Sequence, residues 1–109
     1  LISGISVSDT EIAATMKDVW QTTGELICPH TATGVYAARR RLESERGSNA
    51  TVVTLATAHA AKFVEVSRET VGVEPEIPER LARLLNREKQ SVPVEPTGDA
   101  MKRALLARL

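Results

Sequence analysis

Thr51-Val52-Val53-Thr54-Leu55-Ala56-Thr57 is the run in this 109-residue chain that reads best as a β-strand. It is β-branched, uncharged and apolar on both faces, as a central parallel strand covered by helices should be. Such a strand needs neighbours for the backbone N–H and C=O groups along both of its edges. Helical patterns surround it, and no second strand of that quality is present. The expected fold class is therefore α/β, mostly helices around one central strand at about 51–57. The chain is expected to be a slice of a larger sheet domain, or a domain whose partner strands are not legible in the pattern.

The helical readings are local and specific. Ser8 and Glu11 have the spacing of a capping box, with Val7 and Ile12 placed for a hydrophobic staple. Ile12, Met16, Val19 and Trp20 then make one apolar stripe, so a helix is expected over 8–23 with Gly24 as its left-handed cap. Leu26-Ile27-Cys28-Pro29 reads as a short apolar segment stopped by proline. A second helix is expected from Thr31 or Thr33 to about Arg46, closed by Gly47. Its first half carries the small residues Ala32, Gly34, Ala37 and Ala38, which let another backbone come close. Its second half offers Arg39–Glu43 and Arg41–Glu45 as pairs four residues apart. A third helix is expected from about Ala60 to Val71.

Beyond Gly72 the composition changes, with Pro75, Pro78, Pro93 and Pro96 dividing the chain into short pieces. Pro78 suits a first helical position, followed by a buried stripe of Leu81, Leu84 and Leu85 in a helix to about Arg87. Ser91 to Glu95 reads as extended, an edge or no strand at all because of Pro93. Thr97 can cap a last helix carrying Met101, Leu105 and Leu109. The expected organisation is 1–74 as a helix-helix-strand-helix part of an α/β domain and 75–109 as a C-terminal helical extension.

Charge and composition narrow the function classes. Fourteen basic residues balance fourteen acidic ones, which removes any broad attraction for nucleic acid or anionic membrane. Arg39, Arg40 and Arg41 have acidic partners one turn away and read as a solvated helix face. Cys28 is the single cysteine, so no internal disulfide forms, which suits a reducing compartment. No apolar stretch approaches the roughly 20 residues that cross a bilayer as a helix. Cys28, His30 and His59 lack the paired spacing of structural zinc sites, so no metal is expected.

Thr57 ends the strand candidate, and ligands of open α/β sheets collect beyond the carboxyl ends of strands. Its hydroxyl, with His59 just after it, could meet a ligand there. The plainer reading has Thr57 capping the next helix and His59 as a loop histidine. Pattern alone leaves both readings open and leans to the plainer one.

Thr57-Ala58-His59-Ala60-Ala61-Lys62-Phe63 resembles the Thr-Ala-His-Pro-Ala-Lys-Phe segment of threonine synthases of bacterial and fungal type, with Ala60 in place of the proline. Cys28-Pro29-His30-Thr31-Ala32-Thr33-Gly34 is similar to an upstream segment of the same family. Ile77-Pro78 through Leu85-Asn86-Arg87-Glu88 is similar to a downstream one. The resemblance implies the C-terminal segment of a pyridoxal 5'-phosphate enzyme with the fold of the tryptophan synthase β-subunit group. That enzyme converts O-phospho-L-homoserine and water to L-threonine and phosphate. By position, Thr57 would be the hydroxyl that meets the pyridine nitrogen of the cofactor, with His59, His30 and Lys62 as weaker pocket candidates.

A lysine near such a cofactor invites a Schiff-base role. The resemblance places that lysine far upstream in a Phe-Lys-Asp context absent here, and the Gly/Asn-rich phosphate loop is absent too. No catalytic residue is expected in this segment. The fragment alone is expected to be inactive, to need the N-terminal part of the same polypeptide as its partner, and to be prone to self-association. The alternatives are another enzyme of the same fold group, such as a threonine dehydratase, or a small non-enzymatic interaction domain.

Overall fold

The computed structural model describes residues 2–45 and 49–108. They form two compact units, residues 1–78 and 79–109.

The first unit is built on α1 (Asp9–Thr23), which starts as its sequence dictates. The Ser8 backbone N–H donates to the Glu11 carboxylate at 2.8 Å, and the Glu11 N–H donates back to Ser8 Oγ at 3.4 Å. Two orphan donors are satisfied by this exchange. At the other end Gly24 takes φ 72°, and its N–H donates to the Trp20 carbonyl at 2.9 Å. The stripe buries Met16 and Val19 and half-buries Ile12 and Trp20.

Helix α2 (Pro29–Ser44) begins earlier than expected. Pro29 opens the helix rather than stopping the segment before it, because a first-turn proline gives up no helical hydrogen bond and brings a helical φ. Cys28 is the cap, its sulfur accepting the Thr31 N–H at 3.4 Å. The helix ends at Ser44, and the expected cap at Gly47 lies outside the described residues. Arg41 pairs with Glu45 as expected. Arg39 does not pair with Glu43: it reaches Asp18 of α1 at 2.6 Å, and Arg40 takes Glu43 at 3.1 Å. A partner on the neighbouring helix displaces the pair along the helix face.

Residues 51–57 follow as extended chain, but they join no β-ladder among the described residues. The expected central strand is thus not confirmed, and the described elements are all helical. A strand is defined by the hydrogen bonds of its neighbours, and none of the described segments supplies them. The run lies against the small-residue part of α2, where a Cβ added at Gly34 would sit 2.7 Å from Thr54 Cγ2.

The helix expected over 60–71 is split. A 3-10 turn (Ala60–Lys62) is followed by Phe63 at φ −133° and ψ 50°, and α3 (Val64–Val71) starts afresh. Gly72, at φ 78°, caps α3. Helix α1 packs on both α2 and α3. The buried centre consists of Met16, Val19, Cys28, Ala32, Ala60 and Ala61, with Thr15, Thr31 and Ser67. Apart from Met16 and Val19 these are small residues, and the core is closed by helix approach rather than by aromatic bulk.

The second unit holds α4 (Glu79–Leu85) and α5 (Gly98–Leu106). Pro78 lies immediately before α4, one position ahead of the expected one. Thr97 caps α5, accepting the Ala100 N–H at 3.2 Å. The expected leucine stripe is not buried: Leu84 is 56% and Leu85 is 63% exposed. Met101 and Leu105 are exposed as well, and Leu109 lies outside the described residues. A unit this small has too much surface for its volume to cover such faces by itself.

Candidate functional site

The extended run delivers the chain to the turn at 59–63, and that turn is tied down at both ends. At its start, His59 adopts φ −83° and ψ 144°, and its Nδ1 accepts the Ala61 backbone N–H at 3.1 Å. An imidazole nitrogen that accepts must be unprotonated, so the neutral ring carries its proton on Nε2. The turn is closed by Lys62 N–H to the His59 carbonyl at 3.1 Å and Phe63 N–H to the Ala60 carbonyl at 2.8 Å. At its end, the Phe63 ring meets the His30 ring of α2, with centroids 5.0 Å apart and planes inclined by 48°. Tilted contact at this separation is the favoured arrangement for aromatic rings.

Thr57 stands exposed two residues before this turn. It does not cap the turn: His59 does, and no hydrogen bond of the Thr57 hydroxyl is formed among the described residues. His59 is exposed and lines an open hollow of about 390 Å³ with Glu25, Leu26, Ala60, Pro75, Glu76 and Pro78. Two carboxylates and no cation border that hollow, so its charge suits no phosphate group. His30 is exposed on the first turn of α2, and Lys62 is exposed at the end of the 3-10 turn. The structure therefore brings His59 and His30 to the two ends of one short turn, with Thr57 on the chain leading into it.

Two features escaped the sequence reading. The first is the capping role of His59: the sequence reading offered a cap only as the plainer alternative for Thr57, although a side-chain acceptor two residues before Ala61 is an ordinary turn device. The second is the clasp between α1 and α2, where the Tyr36 hydroxyl donates to Glu11 Oε1 while Ser8 Oγ donates to Glu11 Oε2 at 2.7 Å. These bonds, Tyr36 first and Ser8 next, pull the Glu11 carboxyl from 4.5 down to about 2. The same bond raises the Tyr36 phenol above its usual 10.0. Asp18, Arg39, Arg40 and Glu43 surround the clasp. No group of three or more His, Cys, Asp or Glu side chains among the described residues could hold a metal ion. No helix among the described residues is long and apolar enough to cross a membrane.

Known proteins match this chain in sequence and, over part of it, in fold. The family model for threonine synthase, C-terminal, matches residues 31–105. A threonine synthase of Pseudomonas aeruginosa is 42% identical over 91 residues, covering 83% of this chain and 19% of that protein. Threonine synthase-like 2 of Rattus norvegicus is 33% identical over 98 residues, covering 90% of this chain and 20% of its own length. The crystal structure of pyridoxal-phosphate-bound threonine synthase from Brucella melitensis superposes with a TM-score of 0.59 at 42% identity, over 72% of this chain and 16% of that one. The chain thus spans about a fifth of the length of these curated relatives. By the extent of the family match and by the identity to these relatives, the chain belongs to the threonine synthase family, in the part described as C-terminal.

Proposed function

We propose that this chain is the C-terminal segment of a cytoplasmic threonine synthase, which converts O-phospho-L-homoserine and water to L-threonine and phosphate with pyridoxal phosphate. The observation that carries the reading is the family match over residues 31–105, which spans the Thr57–Phe63 segment. The rest of the polypeptide supplies the lysine that binds the cofactor and the loop that holds its phosphate. It also covers the apolar side chains left open here, Val53 at 79% and Leu55 at 77% exposure among them. The isolated segment is inactive.

Thr57 suits one edge of the cofactor. Its hydroxyl is neutral, exposed and not engaged in capping. A hydroxyl can donate to an unprotonated pyridine nitrogen, whereas a carboxylate there would hold the nitrogen protonated. Pyridoxal phosphate, when bound, supplies an electron sink for proton transfers at the substrate carbons. Thr57 fixes the ring edge and leaves that nitrogen neutral. His30, His59 and Lys62 are the further pocket candidates, and none carries the covalent step.

In the complete polypeptide, Thr57→Ala should lower cofactor retention and phosphate release from O-phosphohomoserine while leaving the fold intact. Cofactor absorbance and turnover at the parent level would remove Thr57 from the ring contact.

A further inference from the structure

We infer that His59 and His30 are positioning residues that clamp the turn at 59–63 from its two ends and so set where Thr57 stands. The inference rests on the proposed ring contact of Thr57 for its functional consequence, but the clamp itself stands on geometry.

Three observations converge on the turn. His59 Nδ1 takes up the Ala61 N–H, a donor that the short turn leaves without a backbone partner. The Phe63 ring, at the point where the helical path breaks, lies on the His30 ring. Ala60 and Ala61 between them are 4% and 8% exposed, so the turn is seated in the core and cannot slide along it. Thr57 has no such tether. It is joined to the clamp only through Ala58, and the run before it rests on α2 at Gly34. Two anchors, the Gly34–Thr54 approach and the His59 cap, therefore bracket the hydroxyl along the chain. Losing the second lets the link at 57–59 turn about its backbone torsions.

The clamp needs an acceptor at position 59, not an imidazole as such. Asn offers a side-chain carbonyl that can cap in the same way, and Ala offers nothing. The charged groups that share the hollow with His59 are Glu25, from the α1–α2 connection, and Glu76, from the segment after α3; Lys62 lies on the turn itself. None of the three replaces the Nδ1 contact to Ala61.

The test uses the complete polypeptide and two readouts. The first is hydrogen exchange of the Ala61 amide without cofactor, with the amides of α1 as the folding control. The second is the dissociation constant for pyridoxal phosphate, read by absorbance. His59→Ala should speed Ala61 exchange about five-fold, the size of a lost cap, and weaken cofactor binding. His59→Asn should restore both. His30→Ala should speed exchange at Phe63 and Ser67 while leaving the Ala61 cap in place.

If His59→Asn keeps the Ala61 amide protected but binds cofactor as poorly as His59→Ala, the imidazole touches the ligand and the positioning role is overturned. Unchanged Ala61 exchange in His59→Ala overturns the clamp. Parent-level cofactor binding in Thr57→Ala overturns the ring contact instead, and the exchange measurements still decide the clamp.

Discussion

Gly34→Ala tests whether the extended run lies on α2. Two effects oppose each other. Alanine is about 1 kcal/mol better than glycine inside a helix, and Gly34 is in mid-helix. Against that, the new Cβ would stand 2.7 Å from Thr54 Cγ2. Carbon atoms in contact prefer about 3.5–4.0 Å, a shortfall of about 1 Å. Relief by rotating Thr54 is limited, because a β-branched side chain is stiff at its first torsion. Over-packing of this kind costs about 1–3 kcal/mol where neighbours are held. Thr54 is half-buried on an extended segment, so part of the cost is shed by lifting the run off the helix. The expected net change is about 0–2 kcal/mol of destabilisation, from about 1 gained against about 1–3 lost. Thr54→Ser removes the methyl that clashes, so Gly34→Ala should become stabilising in that background. A four-variant urea-unfolding cycle reads the coupling directly, at about 1–2 kcal/mol for residues in contact. A coupling within about 0.3 kcal/mol of zero, with Gly34→Ala stabilising alone, would show that the run does not rest on α2.

The remaining predictions concern the core and the α1–α2 clasp. Met16→Ala removes a side chain that is 1% exposed at the centre of the first unit and should cost about 2–5 kcal/mol, seen as a lowered urea midpoint; a midpoint unchanged within error would put Met16 outside the core. Glu11 has a folded pKa lowered from 4.5 to about 2, so its contribution to stability is complete above pH 4.5 and is lost as pH falls through about 2. Tyr36 is raised from 10.0, so its share holds below pH 10.0 and is lost as pH rises through the higher folded value. Tyr36→Phe should bring the Glu11 carboxyl back toward 4.5 in an NMR titration and shift loss of its contribution to higher pH; an unmoved titration would deny the clasp.

The parts of the fold legible in the sequence are those decided within four or five residues. Ser8 with Glu11, Gly24, and Thr97 each act through their own neighbours, and each caps where its spacing says. Two of the failures involved partners distant in the chain. Arg39 had Glu43 one turn away but chose Asp18 on α1. The sequence from Ala60 to Val71 contains neither glycine nor proline, yet the helix breaks at Phe63. The break coincides with the His59 cap and the Phe63–His30 contact, neither of which periodicity encodes. Pro29 failed for a different reason. A proline ends one element and begins another equally well, and only the cap before it, here a cysteine, distinguishes the two.

The same division explains the candidate site. Pattern offered Thr57 two roles, helix cap or ligand contact, and could not separate them. The structure gives the cap to His59, whose Nδ1 takes the Ala61 N–H. A hydroxyl engaged in capping would have one acceptor already committed to the backbone. Relieved of that duty, the Thr57 hydroxyl is not held in a capping orientation by the backbone. The histidine that sequence reading treated as a minor pocket residue thus takes the capping place that one reading had offered to the threonine. A substitution at His59 should therefore be felt first at the Ala61 amide, and at Thr57 only through the two-residue link between them.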